Sequence, residues 1–241
     1  FGDYDVDGTT AVSLVSSYLK SIYTNVSTYI PDRYEEGYGV SYKGIEFADD
    51  NNFSLIIALD CGTKAIEKVA YAKQRNIDFI ICDHHKPGIE IPRAIAVLNP
   101  KREDCSYPFD ELCGCGVGFK LIQALGKSRK QTINDLVPYL DLVATAIAAD
   151  IVPMNGENRT LAYFGLEVIN SNPRNGIKAI IQQVKKQRLT ITDVVFIIAP
   201  RINAAGRIKH GNYAVELLTE MDLESANKFA AAIEIFNTDR K

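Results

Sequence analysis

The 241-residue sequence contains three histidines, and two of them stand together behind an aspartate, Asp83-His84-His85. A sequence so poor in histidine that spends two at one point points to a metal ion there, although an isolated triplet could equally hold an ordinary surface histidine. Other carboxylates mark similar apolar-to-polar junctions. Asp60 follows Leu55-Ile56-Ile57-Ala58-Leu59, and Asp3, Asp5 and Asp7 alternate near the amino end. Asp150 closes an almost wholly apolar stretch through Ala148 and Ala149, an expensive place for an unpartnered charge. Clustered carboxylates repel unless cations hold them together. Oxygen ligands alone suit magnesium or calcium. Added imidazole moves the preference toward manganese, with magnesium or cobalt next and zinc less suited. The aspartates exceed what one ion needs, so two ions sharing a carboxylate are expected. Two ions roughly 3.5–4 Å apart clamp a phosphate and activate water, which is the chemistry of phosphoester hydrolysis.

Such residues must be carried by elements that bring them together. The runs 54–59 and 78–82 are short, apolar and β-branched without polar alternation, the pattern of strands buried on both faces of a parallel sheet. Each ends in carboxylates, and open α/β sheets place ligands at the carboxyl ends of their strands. Further short strands are expected over 26–30 and 94–98, so Pro31-Asp32-Arg33 and Asn99-Pro100-Lys101-Arg102 should also approach that edge. Asp3, Asp5 and Asp7 would share one face if extended, or fan around a site if a turn intervenes. Helical spacing appears at Ala11, Leu14, Val15, Tyr18 and Leu19, and again at Leu136, Leu140, Val143, Ala144 and Ile147. The predicted class is therefore α/β, a mostly parallel sheet flanked by helices over roughly the first hundred residues, with a mainly helical remainder. Gly114-Cys115-Gly116-Val117-Gly118 precedes a helix and could bind an anion at its amino end, or simply allow close packing. A terminal amphipathic helix runs through Leu223, Ala226, Phe229, Ala230, Ile233 and Phe236, and suggests a connector.

Five strings now carry a resemblance. GDYDVDG (2–8), ALDCG (58–62), CDHH (82–85) and AADIVPMNGENR (148–159) resemble, in order, the four motifs of the DHH phosphoesterase superfamily. Ala199-Pro200-Arg201-Ile202-Asn203-Ala204-Ala205-Gly206-Arg207 is similar to the signature of its RecJ branch, single-strand-specific 5′-to-3′ DNA exonucleases of DNA repair and recombination. By that resemblance, Asp5 and Asp7 are metal ligands, with Asp3 a ligand or just behind them. Asp60 bridges two ions, His84 ligates, His85 faces the substrate phosphate or orients the site, and Asp150 completes the second ion. Two manganese ions are the implied cofactor, with magnesium as the substitute. Many superfamily members carry a histidine four residues before the first carboxylate of the pair. Phe1 stands there, leaving Asp3 or water to complete the first ion. The resemblance also implies a catalytic domain over 1–210, with 211–241 a helical connector toward a DHH-associated C-terminal domain. Both ends of the chain read as cut, so a catalytic core weak on its own is expected.

A ligating imidazole is neutral and its other nitrogen donates to an acceptor, for which Asp83 is the nearest candidate. The net charge of −3 and the lack of a long basic tract mean that nucleic-acid binding is not written in the bulk charge. Arg201 and Arg207, flanking small residues, are candidate phosphate contacts together with Asn203, and Lys209 and His210 extend the group. Arg174, Lys178, Lys185, Lys186 and Arg188 read instead as a solvated helix face.

With 46% hydrophobic residues the chain can bury a sizeable core, and no stretch is long enough to span a bilayer. Five cysteines without a CxxC fit a reducing, cytoplasmic setting. Single-stranded DNA is the implied partner, with a helicase and a single-strand-binding protein as further candidates and no membrane. Two alternatives stay open: hydrolysis of short oligonucleotides, cyclic dinucleotides or pyrophosphate, and a non-catalytic DNA-binding scaffold. The scaffold would be expected to lose ligands that this chain keeps.

Overall fold

A computed structural model describes residues 1–184, 186–208 and 211–238, without side-chain placement for 205–208 and 236–238. Three parallel strands, β1 (Leu55–Leu59), β2 (Asp78–Cys82) and β3 (Ala96–Leu98), form a sheet in that order. Their register pairs Leu59 with Cys82 and Cys82 with Leu98. On the free side of β1, Gly2 forms an isolated parallel bridge with Leu59. Register alone therefore aligns Gly2, Leu59, Cys82 and Leu98, and the residue after each is Asp3, Asp60, Asp83 and Asn99. One row of polar side chains results, along the carboxyl edge where open α/β sheets bind ligands.

Side chains alternate across a strand, and both faces of this sheet are covered. Ile56, Ala58, Phe79 and Ile81 pack with Val40, Ile45, Val69 and Ala72, beneath α2 (Tyr42–Asp50) and α3 (Ile66–Gln74). Leu59 and Cys82 join the larger core on the other face, with Leu14, Val15, Phe119 and Ile122. That core is built by α1 (Val6–Lys20), α4 (Gly114–Ser128), α5 (Leu140–Ala149) and α6 (Gly156–Ser171). Each fully buried Leu, Ile or Phe side chain contributes about 1.5–3 kcal/mol, so the apolar runs suffice to fix the layers.

The helical remainder comprises α7 (Asn175–Gln182), α8 (Ile191–Asp193), a π-helical turn at Val194–Ile198, α9 (Ala199–Ile208), α10 (Asn212–Thr219) and α11 (Leu223–Thr238). Pro200 has no N–H to give a helix, and the wider turn just before it is one way the chain accommodates the lost bond. Ala214, Leu217, Ala226, Ala230 and Ile233 belong to the same core as α1 and α5, and α11 packs against α7 and α9. Among the described residues no helix is long and apolar enough to cross a membrane.

Two sequence expectations are corrected here. Residues 26–30 form no assigned strand; the segment runs beside the amino end, where Tyr29 O accepts a hydrogen bond from Gly2 N. Gly114 and Gly116 lie inside the first turn of α4 rather than in a loop before it. In the 174–188 group Lys178, Lys186 and Arg188 are exposed, as a solvated face requires, and Arg174 is half-buried. Arg174 pairs with the fully buried Asp141, Lys186 with Asp193, and Arg188 with Glu167. Lys185 lies outside the described residues.

Candidate metal centre

Asp5 and Asp7 are fanned by a helix start rather than laid along a strand. Asp5 is the N-cap of α1, its Oδ1 accepting from Gly8 N at 2.9 Å. This tight turn brings Gly8 against the Asp3 backbone, where a Cβ would lie 2.5 Å from Asp3 O, so only glycine fits. Asp7, in the first turn, is buried, and its two oxygens accept from Gly114 N at 2.6 Å and Cys115 N at 2.7 Å. The anion bound at the amino end of α4 is thus this protein's own carboxylate.

Asp60 follows β1 in a left-handed conformation with φ 60°, uncommon for a residue with a side chain, and it is 1% exposed. Asp150 is the C-cap of α5, where the helix dipole disfavours a negative charge. His84 joins them. Its Nε2 stands 3.2 Å from Asp60 Oδ1, 3.6 Å from Asp150 Oδ2 and 3.7 Å from Asp7 Oδ2. Donors about 2.1 Å from a six-coordinate ion stand about 3 Å from their neighbours, and these separations approach that spacing. Ligand atoms of Asp7, His84 and Asp150 lie within 4.8 Å of one another, as do those of Asp60, His84 and His85. Asp60 Oδ1, Asp150 Oδ2, Asp3 Oδ2 and His84 Nδ1 are buried without a hydrogen-bond partner. Orphaned buried carboxylate oxygens are costly, and a divalent cation beside those of Asp60 and Asp150 would resolve that cost; the donor set fits one, while His84 Nδ1, across the ring from Nε2, is not satisfied by it.

The electrostatics agree. Burial pushes the Asp3 carboxyl up to about 7. Burial, then the charges of Asp150 and Asp5, pushes Asp7 up; burial, then Asp7 and Asp5, does the same to Asp60. Burial lowers His84, keeping its imidazole neutral as a ligand must be. Asp83 behaves oppositely. Burial opposes its ionisation, but hydrogen bonds from the His85 ring and from Thr63 N hold it down at about 2.

Asp83 serves His85 rather than His84. Its Oδ1 meets His85 Nδ1 at 2.8 Å and accepts from the main-chain N–H of His84 and His85, while Oδ2 accepts from Thr63 N. His85 Nε2 lies 3.0 Å from the Tyr38 hydroxyl. Burial and nearby carboxylates push that phenol up, so it stays protonated and is available to donate. Asn99 ties the edge together, its Nδ2 donating to Thr63 Oγ1 and His85 O, both at 2.8 Å.

Asp5, Asp7, Asp150 and Asn203 line one cleft with Tyr4, Arg33 and Tyr38. Arg33 stacks over the Tyr4 ring, its Cζ 4.7 Å from the centroid. Asp3 sits behind, fully buried. Arg201 is not brought to the cleft. Its guanidinium bonds Glu234 at 2.6 and 2.9 Å and Ile197 O at 2.9 Å, tying α9 to α11. The Arg207 side chain, Lys209 and His210 lie outside the described residues. Phe1 stays out of the centre and stacks on Tyr29 at 5.4 Å. Sequence reasoning missed Tyr38, and it missed the Gly114 and Cys115 N–H groups as partners of Asp7. Only the glycine run hinted at the latter.

Fold and site together define a class: an α/β protein whose parallel sheet gathers carboxylates and imidazoles from distant segments at its carboxyl edge. The chain belongs to the DHH family, whose N-terminal domain matches residues 1–147. Along its whole length it is 40% identical to the single-stranded-DNA-specific exonuclease RecJ of Bacillus subtilis, covering 30% of that protein. It is 35% identical to RecJ of Haemophilus influenzae, covering 44%. A crystal structure of exonuclease RecJ bound to manganese superposes with a TM-score of 0.89 at 29% identity, over 99% of this chain and 60% of that one. The chain thus spans less than half the length of these two curated relatives.

Proposed function

We propose that this chain is the catalytic core of a two-metal phosphodiesterase that hydrolyses single-stranded DNA from the 5′ end. The observation that carries the reading is the meeting of His84 Nε2 with Asp7, Asp60 and Asp150 at separations of 3.2 to 3.7 Å. The whole-length similarity to RecJ exonucleases supports the substrate class.

Asp5, Asp7, Asp60, His84 and Asp150 would hold the ions, with Asp3 behind them. Asp60, whose Oδ1 is buried without a hydrogen-bond partner beside His84 Nε2, would be the carboxylate shared by the two ions, whereas His84 offers one nitrogen. Mixed carboxylate and imidazole donors favour manganese, with magnesium the substitute. When bound, such ions polarise a phosphoryl oxygen and lower the pKa of water. The chain's own groups do the positioning. The α4 amino end fixes Asp7, the left-handed turn fixes Asp60, and Asp83 fixes the His85 ring. His85 would face the substrate phosphate or orient the site, and Arg33 and Asn203 line the Asp7–Asp150 cleft. A further domain beyond the terminal helix, a helicase and a single-strand-binding protein as partners, and a cytoplasmic setting belong to the same proposal.

The test compares manganese-dependent hydrolysis of 5′-phosphorylated single-stranded DNA, duplex DNA and a dinucleotide, with Asp60→Ala beside the unsubstituted protein. Rapid digestion of the long single strand, lost in Asp60→Ala, is expected. Preference for the dinucleotide would instead assign the chain to small-nucleotide hydrolysis. Full activity in Asp60→Ala would sink the two-metal reading.

A further inference from the structure

A second cavity, of about 330 Å³, lies across Tyr38 from the Asp7–Asp150 cleft. Tyr38 lines both spaces, so its ring is a shared wall, and His85 stands on the second side. Lys64, on the loop after β1, and Lys68, in the first turn of α3, face this cavity together with Thr63 and Asp83.

Among the described residues neither lysine there has a carboxylate partner, as is also true of Lys20, Lys86, Lys127, Lys130 and Lys178, whereas others are neutralised. Lys43, Lys73, Lys120, Lys186 and Lys228 each pair with a carboxylate. Among the described residues no ion pair joins Lys64 or Lys68 to one, and Lys68 Nζ rests instead 5.8 Å from the Tyr42 ring centroid. Asp83 is the carboxylate on the wall, and the N–H groups of Thr63, His84 and His85 already occupy its oxygens. The amino end of α3, which no side chain caps, opens on the same space through Ala65 and adds the positive end of a helix dipole. Two free cations, a phenol and a helix amino end, beside a site for phosphodiester chemistry, form the recognition set of a phosphate group.

We infer that this cavity is a phosphate subsite, which takes a phosphate of the nucleic-acid strand next to the one at the metal cluster. The inference rests on the nucleic-acid reading above. Lys64 and Lys68 act as contacts that set the position of the strand, and Tyr38 divides the two phosphate positions.

The experiment measures binding of a fluorescent oligothymidylate to the full chain by anisotropy. It is run in chelator, so that no turnover is needed, across a series of salt concentrations. The unsubstituted chain is compared with Lys64→Gln/Lys68→Gln and Lys64→Arg/Lys68→Arg, with 5′-phosphate and 5′-hydroxyl strands. The glutamine variant should bind about tenfold more weakly at low salt, and the slope of log K against log salt should shrink by about one. The arginine variant should match the unsubstituted chain. Equal loss on both strands assigns the cavity to an internal phosphate; loss confined to the 5′-phosphorylated strand assigns it to the terminal one. Unchanged affinity and slope in the glutamine variant overturn the subsite, as does the absence of strand binding by the unsubstituted chain. Lysine-dependent binding without hydrolysis would sink the functional reading alone. Hydrolysis without any lysine effect would sink the subsite alone.

Discussion

Asp7 is held by Gly114, 107 residues further along the chain, through a 2.6 Å hydrogen bond from the first main-chain N–H of α4. Gly114 also supports Asp60: a Cβ at this position would lie 2.5 Å from Asp60 Cβ and Oδ1. One backbone position therefore sets two carboxylates from different segments. The helix dipole stabilises the Asp7 charge, and the missing side chain admits Asp60.

Gly114→Ala should therefore damage the centre out of proportion to its size. Overpacking of this kind costs about 1–3 kcal/mol, and here the strain falls on Asp60. Manganese affinity measured by calorimetry should fall at least about tenfold, while circular dichroism shows the fold retained. Unchanged affinity would mean that α4 does not support the site.

Asp83→Asn should act through His85. The buried carboxylate accepts from three main-chain N–H groups and the His85 ring, and an amide cannot accept at both ends. A loss of about 1–3 kcal/mol in denaturant unfolding and about 10- to 100-fold in turnover is expected. Turnover equal to that of the unsubstituted protein would remove His85 orientation from the account.

Acidity should stabilise the metal-free protein. Burial raises Asp3 to about 7 and pushes Asp7 and Asp60 up as well. From near pH 4 upward the folded state then holds protons that the unfolded chain has released. Stability from these groups is full below the unfolded value and is lost as pH rises through the folded ones. His84 and the Phe1 amino group, both lowered by burial and the latter to about 6, oppose this, while His85, raised by its hydrogen bond with Asp83, adds to it. Urea unfolding in chelator should thus show greater stability at pH 5.5 than at pH 7.5, and saturating manganese should remove the difference. Greater metal-free stability at pH 7.5 would contradict the electrostatic picture.

Arg201→Ala separates a structural role from a substrate-contact one. The guanidinium is engaged by Glu234 and Ile197 O, and its side chain is 14% exposed. Loss of this link should lower stability by about 1–3 kcal/mol in thermal unfolding and leave KM for single-stranded DNA within about twofold. A large rise in KM at unchanged stability would place Arg201 on the substrate instead.

Much of the centre was legible because strand ends write it in order. Leu59-Asp60 and Cys82-Asp83-His84-His85 each close a buried apolar run, and parallel register places such endings side by side. Asp150 was legible for a related reason, as a charge at the end of an apolar helix. What sequence could not give was direction. It offered Asp83 to a ligating histidine without showing that the His85 ring takes it. It suggested an anion at the glycine run, but not that the anion is Asp7. Residues 26–30 have β-branched and aromatic composition, yet no strand forms there: Phe1 and Gly2 take the edge of β1, with Phe1 N donating to Ile57 O and Leu59 N to Phe1 O, and the segment outside them meets Gly2 through the bond from Gly2 N to Tyr29 O. Arg201 looked like a free cation because its partner, Glu234, stands 33 residues away on α11.

The central claim, that Asp7, Asp60, His84 and Asp150 form one metal centre, is tested most directly by anomalous diffraction from crystals grown with manganese. The account requires two peaks roughly 3.5–4 Å apart, both within ligand distance of Asp60, with His84 Nε2 on one of them. Manganese absent from this cluster, or bound at one position that leaves Asp60 without a metal contact, would contradict it.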